Sequence, residues 1–164
     1  MMTATIQQFE DKVIAEFERE FPYEIELVWK MLADNQYLQK WFPELSVKSL
    51  EENGKILFDM QDGTFEEMTI TSLSEPNVLE YTWDRDLVRF DLTPSEKGTH
   101  LVFKETISEV TEHTPRDITG WHICLDAIES ILANEEMPDT QLVFNELYPV
   151  YKEKFATFGE ETGQ

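Results

Sequence analysis

The sequence has little cysteine: Cys124 is the single one among 164 residues. One cysteine excludes a disulfide within the chain and a thiolate cluster built from one chain. A lone thiol is typical of proteins in a reducing compartment, so we predict a cytoplasmic location.

Basic residues are also scarce, with 13 Lys and Arg against 34 Asp and Glu and a formal net charge of -21. This charge repels phosphate groups, so we predict neither a nucleic-acid partner nor a membrane partner. The charge favours solubility and leaves a basic protein partner open.

The sequence lacks long apolar runs and the common catalytic motifs. No stretch approaches the roughly 18 apolar residues of a membrane span, and the N-terminal MMTATIQQFEDK does not resemble a signal peptide. A glycine-rich phosphate loop, GxSxG and HExxH are missing from the sequence, and we predict no cofactor. His122 and Cys124 are two positions apart, so on a helix they diverge by about 200° and cannot share a metal.

The chain does contain enough apolar residues to form one sizeable core. Hydrophobic residues make up 41% and aromatic residues 12% of the chain. This length and composition predict a single domain over residues 1–164, with its core over about residues 11–158.

The clearest element is a long helix over Thr114–Glu135. Thr114 suits the N-cap, Pro115 the first helical position, and Asp117 the acidic side chain that completes the cap. One broad face is apolar because hydrophobic residues recur at steps of three and four. These residues are Ile118, Trp121, Leu125, Ile128 and Leu132, widened by Cys124 and Ile131.

Shorter elements precede and follow this helix. Residues 11–21 alternate as a half-buried strand with Val13, Ala15, Phe17 and Phe21 on one side. A short helix is predicted over 23–33, and a second follows in NQYLQKWF with Asp34 or Asn35 as its cap. A last helix is predicted from Asp139 or Thr140 to about Phe158, ending near Gly159, and the tail 160–164 is predicted to be disordered. The apolar positions of that helix are Leu142, Val143, Leu147, Val150, Tyr151 and Phe155.

The middle of the chain has the period of two that is typical of strands. The predicted strands are 45–51, 55–61, 65–74, 78–84, 86–93 and 99–109. Short turns connect them, so an antiparallel meander is expected, with the N-terminal strand added to it. Met68 and Ile70 have one parity and Leu73 the other, which predicts a bulge in 65–74 and leaves its facing open.

The larger apolar residues of these strands share one parity and are predicted to face the long helix. They are Ile56, Phe58, Met60, Leu79, Tyr81, Trp83, Val88, Phe90, Leu92, Leu101 and Phe103. Glu105 has the same parity as Phe103, so its carboxylate either points inward or lies beyond the covered sheet at the mouth of a cavity. An inward carboxylate could orient a ligand hydroxyl or act as a general acid or base.

Four segments together resemble the bacterial homologues of the C-terminal domain of the activator of heat-shock protein 90 ATPase, within the START-like (SRPBCC) superfamily. They are VWKMLADNQYLQKWF, PNVLEYTWD, THLVFKETI and GWHICLDAIESIL. The resemblance implies an α+β helix-grip fold, in which a curved antiparallel sheet wraps around a long C-terminal helix. Two short helices follow the first strand, and here an extra terminal helix follows the long one. The resemblance also implies a cavity between the sheet and the long helix.

The resemblance and the inward parity together predict noncatalytic binding of an apolar or aromatic small molecule. The predicted ligand-binding residues are Phe58, Tyr81, Trp83, Phe90, Phe103, Glu105, Trp121 and Leu125. Ordinary core packing is the alternative for each tryptophan. Two other functions stay open: an interaction module that modulates a chaperone, and a cyclase-like enzyme with Glu105 as its acid or base. The oligomeric state is left open.

Overall fold

The protein has an α+β fold, which a computed structural model describes for residues 3–162, with side chains in the final helix described as far as Phe158. The predicted fold class, the helix-grip fold, is confirmed. The elements in chain order are β1 (Thr5–Phe9), β2 (Lys12–Phe21), α1 (Ile25–Ala33), α2 (Asn35–Trp41), β3 (Leu45–Val47), β4 (Lys55–Asp59), β5 (Phe65–Ser74), β6 (Val78–Trp83), β7 (Asp86–Ser95), β8 (Gly98–Ile107), α3 (Thr114–Leu132) and α4 (Thr140–Thr162).

The strands form one antiparallel sheet in the order β1-β2-β8-β7-β6-β5-β4-β3. Consecutive strands from β3 to β8 are neighbours, as the short turns predicted. The sequence analysis missed β1, which pairs with β2 across the two-residue turn Glu10–Asp11. The reason is that TIQQF lacks the alternation of apolar residues by which a half-buried strand is recognised.

The chain divides into two compact units, one of residues 18–105 and one that joins the residues before 18 to those from Thr106 onward. In the first unit, α1 buries Val28 and Trp29. The carboxylate of Asp34 accepts the N–H of Gln36 and caps α2, which settles the alternative between Asp34 and Asn35 in favour of the aspartate.

The strands of this unit are close to the predicted ones and differ from them mainly at their ends. β3 ends at Val47 and β4 at Asp59, earlier than expected. Met60 was predicted to face inward, but it lies past the end of β4 with 48% of its surface exposed. The predicted bulge is confirmed, because the register between β5 and β6 shifts between Ile70 and Ser72.

In the second unit, α3 begins and ends differently from the prediction. Thr114 is the first helical residue and not the N-cap, which is His113 without a capping side-chain hydrogen bond. The helix ends at Leu132 because Asn134 adopts a φ of 55°. The N–H of Glu135 then donates to the carbonyl of Ser130 at 2.9 Å, the hydrogen bond of a Schellman motif.

Helix α4 is capped by Asp139, whose carboxylate accepts the N–H groups of Gln141 and Leu142. The helix continues to Thr162, so the predicted end near Gly159 is wrong, and the disorder predicted for the tail 160–164 stays a prediction. Residues 163–164 lie outside the described residues. Among the described residues, none of the helices combines the length and the apolar character needed to cross a membrane.

The buried face of α4 is narrower than its apolar pattern predicted. Leu147, Tyr151 and Phe155 are buried, whereas Leu142 is 62% and Val150 is 37% exposed. The buried three follow one another at four-residue steps and form one stripe. Val150 lies beside this stripe, and Leu142 lies on the opposite face of the helix.

Candidate functional site

An aromatic row crosses the strands of the first unit. Tyr81 on β6, Phe90 on β7 and Phe103 on β8 are all buried. The ring centroids of Phe90 and Phe103 are 5.0 Å apart, and those of Tyr81 and Phe90 are 6.4 Å apart. Both distances lie in the range of favourable ring contacts. These three predicted rings therefore lie on the same face of the sheet, as the parity of their positions in the strands indicated.

The row continues through Trp83 into a second group of rings that is less buried. The centroid of Trp83 lies 6.5 Å from that of Tyr81, 6.1 Å from that of Phe58 and 5.9 Å from that of Phe42. Phe42 and Phe58 complete the set at 5.9 Å from each other. We call Phe42, Phe58 and Trp83 the aromatic triangle; each of its rings is half-buried and meets the other two edge to face.

Phe42 was not among the predicted site residues. It lies directly after α2, where it is the C-cap, and so belongs to no strand whose parity could be read. Its pairing with Phe58 is a tertiary contact that periodicity cannot reveal. The one signal in the sequence is its position in the aromatic group that ends at Pro43.

Glu105 lies on the buried face of β8 together with Leu101 and Phe103. All three residues are fully buried, in a strand whose burial alternates strictly with position. The inward alternative for Glu105 therefore agrees with its burial, and the position at an open cavity mouth does not. A carboxylate in such surroundings depends on polar contacts to offset the loss of its hydration.

Trp121 and Leu125, the two predicted ligand-binding residues on α3, belong to the second unit. Both are buried. Their part in a site stays a prediction from the sequence.

Two other tryptophans agree with ordinary core packing. Trp29 on α1 and Trp41 on α2 are buried. The indole N–H of Trp41 donates to the carbonyl of Met31 at 2.6 Å, so this ring holds the two short helices together.

The histidines do not come together as a metal site. His113 is exposed, whereas His122 is buried and its Nδ1 lies 2.7 Å from the hydroxyl of Tyr151. His100 is half-buried, with Nδ1 2.6 Å from a carboxylate oxygen of Glu20. These contacts give His100 and His122 structural partners.

Charged groups on the outer side of the sheet also pair with one another. A hydrogen bond from Ser95 holds the pKa of Glu20 below its usual value, and His100 acts in the same direction. Arg89 donates to Asp91 at 2.9 Å and to Glu80 at 3.3 Å, and the bond to Asp91 is the main reason why the pKa of Arg89 is raised.

The fold and the aromatic face define a START-like protein of the helix-grip class. Residues 22–133 match the family described as "Activator of Hsp90 ATPase homolog 1-like protein", and the chain belongs to this family. The resemblance seen in the sequence is therefore confirmed. A comparison with curated proteins gives no significant match.

Solved structures similar to this chain have diverse descriptions. A conserved protein of unknown function from Enterococcus faecalis is 28% identical, with a TM-score of 0.81 over 94% of this chain and 91% of that chain. CalU16 from Micromonospora echinospora is 15% identical, with a TM-score of 0.73 over 95% and 98% of the two chains. The Aha1 dimer from Colwellia psychrerythraea is 17% identical, with a TM-score of 0.62 over 71% and 93%. The last two likenesses show the fold alone.

Proposed function

We propose that this protein binds an apolar or aromatic small molecule against the aromatic triangle and the buried rings that continue from it. The observation that carries the proposal is the triangle itself, in which three rings meet within 5.9–6.1 Å and each stays partly exposed. A ring that serves packing alone is usually buried completely, whereas each ring of the triangle keeps part of its surface in contact with water.

The chemistry of the triangle favours a flat, mostly apolar ligand. The rings present edges and faces at fixed angles of 66–79° to one another, so a ring-bearing ligand can stack on one ring and meet the edge of another. Covering half-exposed rings removes apolar surface from water, which stabilises the complex by about 25 cal/mol for each Å². We expect affinity of roughly micromolar strength, or about 8 kcal/mol.

Glu105 is the polar group proposed to select among such ligands. It lies two residues from Phe103 on the same buried face of β8, so its carboxylate and that ring share one side of the sheet. A carboxylate accepts hydrogen bonds from a ligand hydroxyl. In the cyclase-like alternative the same group would act as the acid or base, and conversion of a bound ligand would reveal it.

A chaperone-modulating interaction is the second candidate function, and the observation that favours it is the family match over residues 22–133. The family description names an activator of the Hsp90 ATPase. A direct check is the ATPase rate of the host's Hsp90 with and without this protein. Stimulation that survives removal of the triangle by Trp83→Ala would favour the interaction module over the small-molecule reading.

The experiment that tests the proposal is an NMR titration with a panel of flat aromatic compounds. We expect amide shifts that cluster around Phe58, Trp83 and Phe103 and that saturate in the micromolar range. Glu105→Gln should weaken compounds carrying a hydroxyl more than matched compounds without one. If no member of the panel binds below about 1 millimolar, the proposal fails. A cytoplasmic location belongs to the same proposal and rests on the single cysteine.

A further inference from the structure

Helices α3 and α4 of the second unit leave an open groove between them. The groove is lined by residues of α3, of the connection after it and of the start of α4, namely Ile123, Asp126, Ala127, Met137, Pro138, Thr140 and Val143. It encloses about 260 Å³, including the part open to solvent, and its walls are almost entirely apolar. None of these residues belongs to the ligand site proposed above.

The α3 side of the groove is a second apolar stripe of that helix. Ile123 is two positions from Trp121 and two from Leu125, so it points about 200° away from the apolar face that the sequence predicted. Ala127 follows Ile123 at a four-residue step and offers only a methyl group. On the other side, Met137 is 45% exposed. An apolar groove that stays open to water is a place where a partner can bury an apolar side chain.

The charges beside the groove are acidic. Residues 117–151 contain neither lysine nor arginine. The carboxylate of Asp126 lies 3.4 Å from Nε2 of the buried His122, and the Asp126 side chain is 37% exposed. Glu136 and Asp139 are exposed and come directly before lining residues. A cationic group beside the groove would therefore meet several carboxylates.

The basic residues that border this stretch do not line the groove. The guanidinium of Arg116 lies over the ring of Tyr148, 4.8 Å from its centroid. Nζ of Lys154 donates to the carbonyl of Ala4 at 3.0 Å. Lys152 is exposed on α4.

We propose that the groove binds a basic segment of another protein. An apolar side chain of that segment enters the groove, and neighbouring lysine or arginine side chains face the carboxylates beside it. Charge complementarity gives the partner its sign, and the apolar walls require the anchor. A site for a whole small molecule usually has about 300–1,000 Å³, so this groove suits one or two side chains better. A second copy is a poor occupant because each copy has a net charge of -21.

Synthetic peptides test the anchor and the charge separately. The probe has a pair of leucines between two pairs of lysines, and it is titrated into the full chain while amide shifts are recorded. We expect a dissociation constant on the order of 100 micromolar at low salt, with shifts that cluster at Ile123, Ala127 and Val143. Alanines in place of the leucines, or glutamines in place of the lysines, should each weaken binding by about tenfold. Salt raised from about 20 to about 500 millimolar should also weaken the probe.

One pair of variants tests the position of the charge. Asp126→Asn removes a carboxylate that lines the groove and should weaken the probe by about threefold or more. Glu153→Gln removes the same charge from an exposed position about 15 Å further along α4 than Val143, beyond the screening length at physiological ionic strength. This control should bind like the parent protein.

A second pair tests the apolar wall and does not disturb the contact of Asp126 with His122. Met137→Ala shortens an exposed side chain of the groove and should weaken the probe by about threefold or more. Leu142→Ala is the matched control, because Leu142 is more exposed and does not line the groove. Circular dichroism of all four variants checks that the fold is intact.

Three results would overturn the proposal, and none of them depends on the aromatic panel. The first is a lysine probe that does not bind below about 1 millimolar, or a glutamine probe that binds equally well. The second is a set of shifts around Trp83 and not around Ile123 and Val143. The third is a set of shifts at Ile123 and Val143 that grows with protein concentration without peptide, which would assign the groove to a second copy.

Discussion

The hydroxyl of Tyr151 lies 2.7 Å from Nδ1 of His122, and both side chains are buried. The same hydroxyl accepts the N–H of Ala4 at 2.9 Å. The tautomer of His122 decides which of the two groups donates in this contact, and Nε2 of the same ring lies 3.4 Å from a carboxylate oxygen of Asp126. The ring of Phe17 meets that of His122 edge to face at 5.7 Å. One hydroxyl thus joins α3, α4 and the segment before β1.

Removing this hydroxyl should destabilise the protein. Tyr151→Phe keeps the ring but leaves the Ala4 N–H and the His122 ring nitrogen buried without it, at about 1–3 kcal/mol for each group. We expect a total loss of about 2–6 kcal/mol in the free energy of unfolding, measured with urea.

Tyr148→Phe is the matched control on the same helix. Tyr148 is half-buried, and its ring stacks on Phe144 at 5.4 Å and lies 4.8 Å from the guanidinium of Arg116. Phenylalanine preserves both ring contacts, so the loss should stay below about 0.5 kcal/mol. Equal effects of the two substitutions would contradict the role assigned to the Tyr151 hydroxyl.

Helix α4 should contribute to stability through its buried stripe and not through its exposed leucine. Leu147→Ala removes a fully buried side chain and should cost about 2–5 kcal/mol. Leu142→Ala makes the same change at a position that is 62% exposed, and it should cost less than about 0.5 kcal/mol. Chemical denaturation that gave similar losses for both leucines would show that α4 is not packed along this stripe.

The carboxylate of Glu20 should titrate below its usual pKa of 4.5, because Ser95 and His100 hold its charged form. A depressed pKa means that this contribution to stability is complete above the usual value and is lost as the pH falls through the lower one. In an NMR titration, Ser95→Ala should move the pKa of Glu20 upward toward 4.5, since the Ser95 hydrogen bond is the largest cause. An unchanged pKa would argue against that cause.

Much of the fold follows from the sequence because its strands alternate cleanly and its turns are short. Val88, Phe90 and Leu92 are buried as predicted, and the parity conflict in β5 correctly indicated a bulge. Strand ends were less accurate, as at Met60, because the alternation of apolar residues does not show that β4 ends at Asp59. The start of α3 was misplaced because a threonine before a proline is a common cap, whereas here the helix begins at Thr114 itself.

The candidate site was predicted only in part, because the prediction relied on the alternation of residues along strands. Strand parity identifies which rings share a face, so Tyr81, Phe90 and Phe103 were recognised. It gives no information about a residue such as Phe42, which reaches its partners from a loop. Strand parity also gives no information about His122, which is buried in contact with Tyr151, a residue 29 positions further along the chain.

The most direct test of the proposed function is the effect of one triangle ring on the affinity for a ligand found in the aromatic panel. Trp83→Ala removes the ring that touches both other members of the triangle and Tyr81, so binding should weaken by about tenfold or more, as measured by calorimetry. Phe9→Ala removes a ring that is 62% exposed on β1 and should leave the affinity unchanged. A folded Trp83→Ala variant that bound the ligand as tightly as the parent protein would contradict the account.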